Sequence, residues 1–88
     1  MTAPTITTTD HVYAFIAQLK TDAEERGDSS FAAELADVLC LGSSGLEILG
    51  AIRKVLLENR GKVESLLGSE GLNEAAQVIA FVDKAFGR

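Results

Sequence analysis

The sequence predicts an all-α fold, a bundle of four to five helices joined by short glycine-serine junctions. Three observations predict it. Apolar residues recur at i, i+3, i+4 and i+7 through most of the chain, the period of one helix face. No segment sustains the period-two alternation of a half-buried strand. One junction word is written twice, as Leu41-Gly42-Ser43-Ser44-Gly45-Leu46 and as Leu67-Gly68-Ser69-Glu70-Gly71-Leu72. A glycine after a leucine-rich run supplies the left-handed residue that ends a helix. The serine after it accepts from the free N–H groups of the next one.

Residues 1–9 read as a flexible tail and 10–88 as one domain. Pro4 and the threonines around it offer no apolar period, and termini that bury nothing stay mobile. Thr9 or Asp10 caps a first helix at about 11–26. Val12, Phe15, Ile16, Leu19 and Ala23 form its apolar stripe, and Gly27 ends it. Asp28, Ser29 and Ser30 open a second helix at about 31–41, with Phe31, Leu35, Val38 and Leu39 on its inner side. Ser44 and Glu47 make a capping box for a third at about 45–60. Leu49, Ile52, Val55, Leu56 and Asn59 form its seam, widened by Leu46 and Ile48. Gly61 stops it, and a short turn follows at about 62–67 with Val63, Leu66 and Leu67 inward.

The last helix, about 72–86, carries more apolar surface than one packing contact uses. Leu72, Ala75, Ala76, Ile79, Val82 and Phe86 form one stripe; Val78, Phe81 and Ala85 form a second beside it. The two junction words and the equal glycine spacings that follow, Gly42 to Gly61 and Gly68 to Gly87, admit a duplicated hairpin. Convergent capping explains them as well, because glycine then serine is what a helix junction asks for.

Eighty-eight residues allow one domain, which buries only roughly 60–65% of its unfolded surface. Cys40 is the single cysteine, so no internal disulfide forms; a reducing cytoplasm is the expected compartment. No signal peptide is read at the N-terminus, and no apolar run is long enough to span a membrane. The formal charge of −5, from 13 acidic and 8 basic side chains, argues against a nucleic-acid surface, which needs a positive field. It suits a small acidic soluble protein or one with a basic partner.

No catalytic, cofactor-binding or metal-ligating residue is assigned. Neither glycine-serine word is followed by the lysine of a phosphate-binding loop. His11, the single histidine, has no nucleophile at a supporting spacing and reads as structural. Cys40, flanked by leucines, reads as a buried small hydrophobe. One cysteine, one histidine and scattered carboxylates fall short of a metal site. A helix-turn-helix reading of residues 31–60 fails because Leu46, Glu47 and Ile48 would face the bases.

Glu34 to Leu56, with its alanine- and leucine-rich helix, the Gly42-Ser43 junction, Leu46-Glu47-Ile48-Leu49 and Arg53, resembles small uncharacterised bacterial helical proteins, some of them neighbours of toxin genes. The resemblance covers that segment only. Its shared residues are capping and core positions, so it transfers no active site. It implies an immunity-like or antitoxin-like binder.

The expected function is a non-enzymatic protein–protein interaction module. Its partner is a second copy or another protein, held by the apolar C-terminal helix through Val78, Phe81, Val82, Ala85 and Phe86. Two alternatives stand beside it: an acidic inhibitor of a basic toxin, and a bundle that binds a small ligand or lipid tail. Nucleic acid and membrane are not expected partners.

Overall fold

A computed structural model describes residues 6–40 and 45–87. It is all-α, with helices α1 (Thr9–Glu25), α2 (Ser29–Leu39), α3 (Gly45–Glu58) and α4 (Arg60–Ala85). Each helix packs on the next, and α4 returns to α1, closing a ring. The slab measures 37 × 36 × 20 Å. Its thickness is about two helix diameters, so two layers of helices share one core.

That core is built from the expected stripes. On α1, Val12, Phe15, Ile16, Leu19 and Ala23 are all buried, and on α2 so are Phe31, Leu35 and Val38. Leu49, Ile52, Val55 and Leu56 complete it from α3. From α4 come Val63, Gly71, Ala75, Val78 and Val82. Among the described residues no polar or charged side chain is buried.

Helix ends account for the boundaries. Thr8, one residue before the expected cap, accepts from the backbone N–H of His11 at 3.2 Å. Gly27, at φ +79°, closes α1: its N–H reaches Glu24 O and the N–H of Asp28 reaches Ala23 O. This is the paired Schellman pattern that satisfies the last carbonyls. Asp28 then turns outward and opens α2, its Oδ1 accepting from Phe31 N at 3.2 Å. The capping box at Ser44 and the first junction glycine, Gly42, lie outside the described residues.

Three expectations are corrected and one is located more closely. The third helix stops at Asn59, not Gly61; the Asn59 amide donates back to Val55 O at 2.8 Å, and Gly61 is helical inside α4. The expected fourth and fifth helices are both present, joined end to end as α4 across a kink at Gly68, whose φ of 75° and ψ of −168° fall in a region essentially only glycine adopts. The break is thus where the second junction word puts it, but the turn is sharper than a left-handed cap. Cys40 is exposed. It lies two residues past Val38, which rotates it by about 200° to the far side of the helix from the buried stripe. Ile6 is buried, and its N–H donates to Gln77 Oε1 on α4 at 3.2 Å, so packing begins inside the segment read as tail.

Candidate partner-binding surfaces

The second arm of α4, beyond Gly68, buries Gly71, Ala75, Val78 and Val82. Those positions are spaced i, i+4, i+7 and i+11, one helical face. The buried face therefore runs between the two expected stripes and takes residues from both. Of the five expected contacts, Val78 and Val82 are fully buried in the core. Phe81 is half-buried against that core, while Ala85 and Phe86 are exposed. A contact made through this helix falls on Phe86, Ala85 and the open edge of Phe81.

The surplus apolar surface is shared with α3. Leu46, Gly50, Arg53 and Leu57 lie on one face of α3, again at i, i+4, i+7 and i+11. Two α4 residues set the register across it. The Phe86 ring lies over Gly50, where a β-carbon would stand 3.5 Å from Cζ. Arg53 Nε donates to Asp83 Oδ1 at 2.7 Å. Gly50 with Phe86 and Arg53 with Asp83 make the helices antiparallel. Among the described residues the exposed large apolar side chains around this seam are Leu46 at 52%, Phe86 at 39% and Leu57 at 37%. Leu46 stands one turn before Gly50, beyond the end of α4, so it does not join the buried seam where the sequence placed it. The Arg53–Asp83 pair, each side chain about a third exposed, forms a polar interruption between Leu57 and the Leu46–Phe86 end.

A second feature lies on the other side of α4. α1 and the bend of α4 enclose an open cleft of about 400 Å³. Its floor is apolar, from Ile6, Ala14, Phe15 and Leu67, with Gly71 closely covered by the Leu67 side chain. His11 and Gln18 stand on the α1 side, Glu70 and Glu74 on the α4 side. Sequence reading missed this cleft. Its lining comes from three separated stretches, and only the Gly68 bend brings Leu67, Glu70 and Gly71 against α1. Ile6, the one branched aliphatic residue before Val12, was the available signal.

His11, in the first turn of α1, lines the cleft. The Thr7 N–H and hydroxyl both lie 3.2 Å from His11 Nδ1, which ties the residues before α1 to its first turn. At the opposite end of the bundle, Lys62 ties α4 to α2. Its Nζ lies 3.5 Å from Asp28 Oδ2 and 5.2 Å from the centroid of the Phe31 ring. A smaller groove there is lined by Arg26, Asp28, Lys62, Ser65 and Leu66, and its lysine is already engaged with Asp28.

No group of three or more histidine, cysteine or carboxylate side chains converges among the described residues. No described helix is long and apolar enough to cross a membrane. Comparison of the chain with protein-family models, curated proteins and solved structures finds no match.

Proposed function

We propose that this chain is a non-enzymatic interaction module that binds protein through the edge where α3 begins and α4 ends. The carrying observation is the Phe86 ring, seated on Gly50 yet 39% exposed, with Leu46 open one turn away. An aromatic side chain on a backbone seat, flanked by aliphatic groups, is the kind of anchor that concentrates binding energy in an interface. The Arg53–Asp83 pair supplies a polar rim beside it. A second copy of the chain is the first candidate partner, because one apolar patch facing its equivalent makes a closed two-fold contact.

Light scattering over a dilution series tests this. A dimer that Phe86→Glu or Leu46→Glu converts to folded monomer supports the reading. A wild-type monomer at every concentration overturns self-association, and unchanged association in both folded variants overturns the patch.

The alternative of an acidic inhibitor is favoured by one observation, the carboxylate-edged cleft on α1 and α4. The lipid-carrier alternative is less well served, since that cleft is open to solvent.

A further inference from the structure

We infer that the cleft between α1 and the bend of α4 is a binding site for a basic amphipathic segment of a partner protein, and that it takes a lysine or arginine side chain. This deepens the acidic-inhibitor reading and is independent of the Phe86 edge.

Three observations carry it. First, the cleft offers both halves of what such a side chain needs. Ile6, Phe15 and Leu67 form an apolar floor for the aliphatic stem, and Glu70 and Glu74 stand at its edge for the charged head. Second, the carboxylates are uncompensated. Among the described residues no lysine or arginine lines the cleft, whereas Lys20, Arg53 and Lys62 form ion pairs elsewhere with Glu24, Asp83 and Asp28. Among the described residues neither Glu70 nor Glu74 is ion-paired. They are spaced i, i+4 on one helix, a like-charge arrangement that opposes the helix unless a cation joins it. Glu70 has a local reason for its place, since it stands in the first turn after the bend, where the helix dipole favours an anion. Glu74, a turn later, has none. Third, at about 400 Å³ the cleft is near the lower end of ligand-site sizes, which suits one or two side chains of a larger partner.

The test uses a fluorescein-labelled amphipathic peptide of lysine and leucine, read by anisotropy against the full chain. Two double variants remove equal charge. Glu70→Gln with Glu74→Gln acts in the cleft; Glu34→Gln with Asp37→Asn acts on the outer face of α2. Circular dichroism checks that both stay folded. The expected result is about tenfold weaker binding for the cleft variant and less than about twofold for the control. A peptide of equal charge with serine in place of leucine is expected to bind about tenfold more weakly, having nothing to lay on the floor.

Equal weakening by both variants assigns the binding to net charge and overturns the site. Equal binding of the serine peptide overturns the role of the floor. Loss of binding in Phe86→Glu with retention in the cleft variant moves the peptide to the other edge and also overturns the proposal. Spermidine binding as tightly as the peptide reassigns the cleft to free polyamines. Absence of any binding by the wild-type chain overturns it outright.

Discussion

Leu67 and Gly71 meet at the bend of α4 so closely that no β-carbon fits at position 71: it would overlap Leu67 Cβ and stand 2.9 Å from Cδ1. In a straight helix residues four apart leave room for both side chains. Here the Gly68 turn folds Leu67 back over the first turn of the second arm. Gly71→Ala is therefore expected to destabilise the fold by about 1–3 kcal/mol, although alanine is the better helix former. Gly61 lies in the same helix with nothing within 4 Å of its missing β-carbon. Gly61→Ala should stabilise by about 0.4–1 kcal/mol. Paired denaturant titrations check the signs; two stabilising results would remove the close approach.

Gly68→Ala addresses the bend itself. Positive φ with extended ψ costs a residue with a side chain about 1–3 kcal/mol. A lower midpoint at unchanged slope is the expected outcome. A higher midpoint would mean that α4 runs straight through.

Asp28 closes α1 with its backbone, caps α2 with its carboxylate and holds Lys62. Two substitutions separate these roles. Asp28→Asn keeps a capping oxygen and loses only a partly exposed ion pair, a cost of less than about 1 kcal/mol. Asp28→Ala also loses the cap, adding about 1 kcal/mol. Thermal melts of the two should differ by the cap alone.

Ile6→Ala measures whether the start of the chain is structural. A buried isoleucine trimmed to alanine costs about 2–5 kcal/mol, the lower end applying near a terminus that can collapse onto the gap. A floppy tail would give no change. Faster amide exchange at residue 6 in Gln77→Leu would report the same attachment through its hydrogen bond.

The Arg53–Asp83 contact is short but open to water. Asp83→Asn is expected to cost less than about 1 kcal/mol, and the difference from wild type should shrink in 1 M salt. A salt-independent loss above that range would show that the pair acts as a dry seam.

How much of this was legible follows the range of each interaction. The stripes Val12–Phe15–Ile16–Leu19–Ala23 and Leu49–Ile52–Val55–Leu56 were readable because a helix face repeats within a few residues, and the same residues lie in the core. Asp28 as a cap and Gly27 and Gly68 as breaks were readable because capping chemistry is local. The last helix was readable as a helix but not as a surface. Its two apolar stripes were equal candidates for the core until packing on α1 and α3 chose Ala75, Val78 and Val82 between them.

The amino-acid order by itself thus determined the fold class, the helical faces and most helix ends, because each depends on neighbours within one or two turns. Tertiary structure alone decided that Val78 and Val82 face inward, that Leu46 and Phe86 face out, that Ile6 belongs to the core, and that Phe15, Leu67 and Glu74 share a cleft. The physical reason is that burial belongs to pairs of helices. Which apolar groups remain in water is settled only when distant segments have taken their places against one another.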